Sequence, residues 1–137
     1  MAAEDKKEAK PKKERYSGYY MRDTERTYSR ESRSMASSTV RRLYKITYKG
    51  KGKYDVELVY ISTQGQMGKS YEGPAQRKQI YKDVKVGMYY GNLSVIYGDG
   101  KHFGISKDLQ PRKMALGEPD DDYLFYQRAL KYVQEHE

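Results

Sequence analysis

Residues 41–61 read RRLYKITYKGKGKYDVELVYI, and this stretch predicts a β-hairpin. Apolar and polar side chains alternate on both sides of a glycine-rich turn, as they do in strands that bury one face. Pairing Tyr48 with Tyr54 makes one face of both strands apolar. The same register sets Lys45 opposite Glu57 on the other face. The apolar face and the pair of opposite charges thus support this register independently. Its remaining apolar pairs are Ile46 with Val56 and Tyr44 with Leu58.

A second group of strands is predicted from Ile80 to Ile105, with a turn near its middle. Gly91-Asn92 is a favoured type of two-residue hairpin turn. Alternating side chains on both sides of that turn would lie on one apolar face, and we expect all six of them in the core. The expected pairs are Tyr90 with Leu93, Met88 with Val95 and Val86 with Tyr97.

The next turn, Gly98-Asp99-Gly100, allows two geometries. A two-residue turn on Asp-Gly pairs Ile96 with Phe103 and moves Phe103 to the face opposite the core. A three-residue loop, with Gly100 in the left-handed region, pairs Val95 with Phe103. Because a slip of one residue turns every side chain to the other face, we favour the three-residue loop, which keeps one continuous apolar face.

Residues 118–137 predict an acidic amphipathic helix, since aspartates at its start are followed by apolar residues at helical spacing. The fold class is therefore mostly β with a C-terminal helix. We expect a small five-stranded antiparallel barrel or bent sheet, SH3-like or OB-like, preceded by a disordered basic arm. In this scheme residues 39–117 form the β domain, and the helix of residues 118–137 packs on it.

Residues 1–38 predict the flexible basic arm. The segment KKEAKPKKER offers almost nothing to bury, and tyrosines alternate with arginines in the segment that follows. One interpretation is a solvated tail. The other is an arm that becomes ordered on a polyanion or on a protein partner, because arginine and tyrosine together supply charge, stacking and cation–π contacts.

The composition of the 137 residues excludes several kinds of site. The chain has 27 Lys and Arg against 19 Asp and Glu, a net charge of +8, with 16 Tyr and no Cys. Without cysteine there is no disulfide, thiolate metal site or cysteine nucleophile. No apolar run approaches the roughly 20 residues of a membrane span, and MAAEDKKEAK lacks the apolar segment of a secretion signal. We expect a cytoplasmic protein, of the nucleoid or of a virion, that is not secreted.

No motif in the chain predicts catalysis. The segment GQMGKS resembles a phosphate-binding loop, but Thr63 stands where that motif needs its first glycine, and Pro74 disfavours the helix that must follow. His102 and His136 are without the partners of a catalytic arrangement, and the aspartates at the helix start are without a second ligand cluster. We therefore expect no enzyme activity, no cofactor and no metal.

The folded part of the chain is basic as well as the arm. Residues 43–117 carry 13 basic and 6 acidic side chains, whereas residues 118–137 carry 2 and 6. Basic clusters on the loops of a small sheet suit the neutralisation of phosphates, and aromatic side chains add stacking. The candidate nucleic-acid-binding residues are Arg22, Arg26, Arg30, Arg33, Arg41, Arg42, Lys49, Lys51, Lys53, Lys69, Arg77, Lys78, Lys85, Tyr89, Lys101, His102, Arg112 and Lys113.

Tyr89 is expected on the face opposite the core, together with Lys85, Ile96 and His102. One interpretation of this face is a stacking platform for unpaired bases. The alternative is that the C-terminal helix covers Tyr89 and Ile96, which then form a second small core.

Two functions remain open at this stage. The first is a non-enzymatic nucleic-acid-binding module of low sequence specificity that favours single strands. The second is a structural or assembly protein of a virion or large complex, whose arm and tyrosine-rich surface bind neighbouring protein subunits. In that case the acidic helix is a candidate for contact with a basic patch on another copy, giving a homo-oligomer. A regulator that blocks a partner is a third option.

Overall fold

The computed structural model describes residues 16–28, 36–65, 69–112 and 120–136. These residues form eight strands followed by one helix. The elements are β1 (Gly18–Arg22), β2 (Glu25–Tyr28), β3 (Ala36–Gly50), β4 (Lys53–Gln64), β5 (Ser70–Pro74), β6 (Ile80–Tyr89), β7 (Asn92–Ile96), β8 (His102–Ser106) and α1 (Asp121–His136).

Six of the strands close into an antiparallel barrel in the order β3-β1-β8-β7-β6-β4, because β4 pairs back with β3. The other two extend this sheet, β2 alongside β3 and β5 alongside β4. The predicted small antiparallel barrel with a C-terminal helix is therefore confirmed. The barrel has six strands instead of five, since β1 inserts between β3 and β8.

The register of β3 and β4 is the one that the sequence predicted. Tyr48 lies opposite Tyr54, and their ring centroids are 5.2 Å apart. On the outer face Lys45 lies opposite Glu57. The expected pairs Ile46–Val56 and Tyr44–Leu58 are also present.

A bulge divides this hairpin between two cores. Tyr44 pairs with Leu58 but Leu43 pairs with Tyr60, so that Val59 is left out of the pairing. As a result, Leu58 faces the interior of the barrel, whereas Tyr60, two residues further along the same strand, faces α1. The barrel core consists of Tyr20, Tyr44, Ile46, Tyr54, Val56, Leu58, Val84, Val95, Phe103 and Ile105.

The second core lies between α1 and the outside of the barrel. Met21, Leu43 and Tyr60 supply its strand side. Asp120 caps the helix, since its carboxylate accepts a hydrogen bond from the backbone N–H of Tyr123 at 3.3 Å. The helix buries Phe125, Tyr126, Ala129 and Val133 in this core.

The predicted boundary of the arm at residue 38 is wrong. Residues 18–28 contain β1 and β2, and Tyr20 and Met21 of β1 are only 1% and 3% exposed. β1 hydrogen-bonds to β3 on one side and to β8 on the other, so it is part of the barrel wall. Tyr16 and Ser17 precede β1, and the other residues of the predicted arm before β3, residues 1–15 and 29–35, lie outside the described residues.

The turn between β6 and β7 also differs from the predicted one. It is formed by Tyr90-Gly91, with φ values of 50° and 82°, so Tyr89 pairs with Asn92. The register is shifted by two residues from the expected one, which preserves the faces but places Tyr90 at the turn. Contrary to expectation, three of the six side chains assigned to the core are exposed: Met88 (64%), Tyr90 (86%) and Tyr97 (36%).

The three-residue loop predicted between β7 and β8 is confirmed. Val95 pairs with Phe103, as that loop requires. The backbone N–H of Tyr97 donates to the carbonyl of Lys101 at 3.0 Å, which closes the loop. Gly100 has a φ of 69°, the left-handed conformation that glycine adopts without strain.

Candidate nucleic-acid interface

Arg22 is engaged inside the fold. Its Nη1 donates to the Tyr44 hydroxyl at 3.2 Å, and its guanidinium carbon lies 4.2 Å from the centroid of the Phe103 ring. Burial, the largest single effect, lowers the pKa of the Arg22 guanidinium, but the hydrogen bond to Tyr44 and the nearby charges of Tyr44 and Glu25 together raise it above its usual value. Because Arg22 stabilises the aromatic core, we leave it out of the proposed interface.

Three further candidate arginines converge on Asp122 in the first turn of α1. Its carboxylate lies 2.7 Å from Nε of Arg41, 3.4 Å from Arg26 and 3.6 Å from Arg112, and the hydroxyl of Thr24 donates to it at 2.9 Å. We call these five residues the Asp122 cluster. Burial alone would raise the pKa of Asp122, but the hydrogen bonds from Arg41 and Thr24 and the arginine charges lower it. The cluster therefore joins α1 to β2 and β3.

Two other candidates have an acidic partner at the surface. Arg42 forms an ion pair with Glu25, and the hydrogen bond from Arg42 lowers the pKa of that carboxyl. Lys49 lies 3.2 Å from Asp55. An exposed pair of this kind contributes about 0–1 kcal/mol, so a phosphate can compete for Lys49.

Three lysines surround a shallow groove on the outside of the barrel, about 290 Å³ in volume. Lys53, Lys82 and Lys85 line it together with Ile96, and we call these four residues the basic groove. Asp83 also lines it, but its carboxylate is the single acidic group there. Within the part of the chain that the structure describes, none of the three lysines has a salt bridge. The charges of Lys53 and Lys85 are therefore available to an anionic ligand, whereas Lys82 also interacts electrostatically with the carboxylate of Asp55.

An aromatic contact lies on the same outer face. The ring centroids of Tyr89 and His102 are 4.4 Å apart, although the two residues belong to β6 and β8. Between them Ser94 on β7 pairs with Gly104 and faces Gly87 on its other side, so neither of its neighbours carries a side chain. The two rings meet beside Ser94, which is only 1% exposed.

The helix does not form a second core with this face. Of the two interpretations, the one in which α1 covers Tyr89 and Ile96 is wrong, because α1 packs on Met21, Leu43 and Tyr60. Tyr89 and Ile96 are partly exposed, and the neighbouring lysine and histidine side chains are exposed. The outer face of β6, β7 and β8 is therefore accessible to a ligand except at Gly104, over which the carboxylate of Asp23 lies.

The remaining candidates lie on separate loops. Lys51 occupies the turn between β3 and β4, with a φ of 56°, and Lys101 follows the loop after β7. Lys69 precedes β5, and Arg77 and Lys78 lie between β5 and β6. All five side chains are exposed. Three further candidates lie outside the described residues: Arg30, Arg33 and Lys113.

The structure adds two residues that the sequence did not assign to the interface. Lys82 enters the basic groove next to Asp83, whose φ of 55° interrupts the regular alternation of β6. No sequence pattern indicated that irregularity. Tyr90 is exposed because the turn is formed by Tyr90-Gly91. The glycine after Tyr90 was the one sequence feature that could have indicated this turn.

Among the described residues, no group of three or more His, Cys, Asp or Glu side chains is arranged to hold a metal ion. None of the helical structure in that part of the chain is long and apolar enough to cross a membrane. The chain matches no protein-family model, no curated protein and no solved structure. Its function is therefore inferred from the chemistry of the basic groove and its aromatic neighbours.

Proposed function

We propose that the protein is a non-enzymatic nucleic-acid-binding module of low sequence specificity. The observation that supports this most directly is the cross-strand row on the outer face of the barrel. Lys85 lies opposite Ile96, and Ile96 lies opposite His102, with Lys53 and Lys82 in the same groove. The lysines thus lie beside one apolar side chain, Ile96, which has His102 on its other side, next to the ring of Tyr89.

This arrangement suits the backbone of a nucleic acid. The lysine ammonium groups neutralise successive phosphates and release condensed counterions, which supplies most of the affinity of non-specific binding. Ile96 offers apolar contact for a sugar, and the rings beside it offer contact for a base. Phosphate contacts carry no information about base identity, so low sequence specificity follows.

The double variant Lys53→Glu/Lys85→Glu is expected to bind labelled oligonucleotides at least tenfold more weakly than the unchanged protein at low salt. Each lost lysine–phosphate contact should also reduce the slope of log affinity against log salt by about 1. Fluorescence anisotropy between 50 and 300 mM salt, at roughly twofold steps, measures both quantities.

Lys131→Glu provides the control for the single variants Lys53→Glu and Lys85→Glu, each of which also reverses one charge. Lys131 is an exposed lysine on α1, away from the basic groove, so the same charge reversal there should leave the salt slope unchanged. If the groove variants and the control bind alike, the groove is not the interface. An affinity of the unchanged protein that hardly varies with salt would contradict phosphate binding itself.

A role in assembly is the competing proposal, and one feature of the sheet favours it. β2 and β5 stand at the two ends of the strand order, and such edge strands can pair with a strand of a neighbouring subunit. Sedimentation of nuclease-treated protein distinguishes the two functions. Assembly without nucleic acid supports the structural role, whereas a monomer that shifts an oligonucleotide supports the binding module.

A further inference from the structure

Tyr90 occupies a backbone conformation that an aromatic residue rarely adopts. Its φ of 50° and the φ of 82° at Gly91 define a tight two-residue turn between Tyr89 and Asn92. The first central position of such a turn favours Asn, Asp or Gly, and a bulky residue there is strained. A turn one residue later, on Gly91-Asn92, would have relieved the strain and placed Tyr90 on a strand. The observed turn exposes 86% of Tyr90 instead.

The exposed ring begins a line of aromatic contacts. The centroids of Tyr90 and Tyr89 are 4.5 Å apart with the ring planes at 71°, and Tyr89 lies 4.4 Å from His102. His102 is in turn opposite Ile96, which belongs to the basic groove. The line therefore leads from the tip of the β6–β7 hairpin to the lysines.

We propose that Tyr90 is a base-stacking residue, and that the ligand of this face is single-stranded nucleic acid. This inference rests on the proposed function and adds the class of nucleic acid. Unpaired bases present both faces to an aromatic ring, whereas the bases of a duplex are already stacked on each other. The bases would contact Tyr90 and its aromatic neighbours, while the phosphates reach Lys85 and Lys53. A role in base stacking would explain why the turn keeps a strained backbone that exposes the Tyr90 ring.

Tyr90→Asn tests the assignment without removing the turn. Asparagine is favoured at this position, so the variant should be at least as stable as the unchanged protein. Its affinity for a single strand should fall roughly tenfold or more, because one stacked base is lost, while its affinity for a duplex should stay the same. A 2-aminopurine base in the oligonucleotide should also lose the quenching that stacking causes.

Tyr90→Phe keeps the ring and is expected to bind as the unchanged protein does. Tyr28→Asn removes another exposed tyrosine, on β2, and should leave single-strand affinity unchanged. If Tyr90→Asn retains full single-strand affinity while Lys53→Glu/Lys85→Glu loses it, the stacking role is wrong and the binding module stands. If Tyr90→Asn abolishes self-association instead, the residue belongs to a protein interface. If the unchanged protein binds no nucleic acid, both proposals fail.

Discussion

Deletion of residues 1–28 is expected to unfold the protein, whereas deletion of residues 1–15 is expected to leave it folded. The longer deletion removes β1, which hydrogen-bonds to β3 and β8, and so opens the barrel. It also removes Tyr20 from the barrel core and Met21 from the core beneath α1. Losing a large buried side chain costs about 2–5 kcal/mol. Two such losses and two broken ladders exceed what a domain with about 5–15 kcal/mol of stability tolerates.

Circular dichroism and the dispersion of amide NMR signals measure the outcome. Deletion of residues 1–15 is the matched control, because it retains every residue from Tyr16 onwards. If the variant without residues 1–28 still unfolds cooperatively, with a melting temperature near that of the full chain, β1 is dispensable. Proteolysis provides a second readout, since an opened barrel is cleaved within its strands.

The shorter deletion also permits a test of the arm. Residues 1–15 carry six basic and four acidic side chains, so their removal lowers the net charge by only two. The salt dependence of oligonucleotide binding by this variant measures the contribution of the segment while the barrel stays intact. A deletion through residue 38 cannot serve, because it removes β1, β2 and the start of β3.

The β3–β4 hairpin could be predicted because its information is local. Alternation, a glycine turn and the charge pair of Lys45 with Glu57 all specify one register within 21 residues. The loop before β8 was equally accessible, since Gly100 identifies the left-handed position. In both cases the local sequence allows only a few registers, and the need to bury one apolar face selects between them.

β1 could not be predicted because its environment is assembled from distant segments. Gly18 pairs with Ile46, and Met21 pairs with Ser106, far along the chain. Its sequence, GYYMR, shows no alternation of apolar and polar residues and lies among charged residues, so the composition indicated an arm. The prediction of the β6–β7 turn was wrong for a different reason. Gly91-Asn92 is the favoured turn sequence, but the chain forms the strained turn on Tyr90-Gly91.

Only part of the candidate site could be predicted, because its geometry also depends on contacts between residues far apart in the chain. Arg41 and Arg42 are adjacent in sequence and looked equally basic, yet Arg41 is only 6% exposed. Its partner Asp122 is 81 residues away, a distance at which sequence patterns specify no pairing. The basic groove likewise depends on a long-range strand pairing, that of β4 with β6, which brings Lys53 on β4 next to Lys85 on β6.

Asp122→Ala is expected to destabilise the protein by about 3 kcal/mol, because it leaves the buried guanidinium of Arg41 without its anionic partner. The substitution also removes the acceptor of Thr24 and the link from α1 to β2. Urea denaturation measures the loss, as a lower midpoint at an unchanged slope. The melting temperature should fall by roughly 10 °C.

Asp121→Ala is the matched control, since Asp121 is an exposed carboxylate in the same helical turn. It should cost less than about 1 kcal/mol, the typical effect of removing a negative charge from a helix start. Equal losses for the two substitutions would assign the effect to the helix dipole and not to the Asp122 cluster.

The dependence of this loss on pH separates the ion pairs from packing. Folding lowers the pKa of Asp122 below the value of about 4 that an aspartate has in an unfolded chain. The stability that its charge contributes is therefore present above about pH 4 and is lost as the pH falls through the folded pKa. The difference in unfolding free energy between the unchanged protein and Asp122→Ala should be largest near neutrality and should shrink below about pH 4. A difference that stays constant down to about pH 3 would mean that the side chain of Asp122 acts through shape, because an ionic contribution must disappear with the charge.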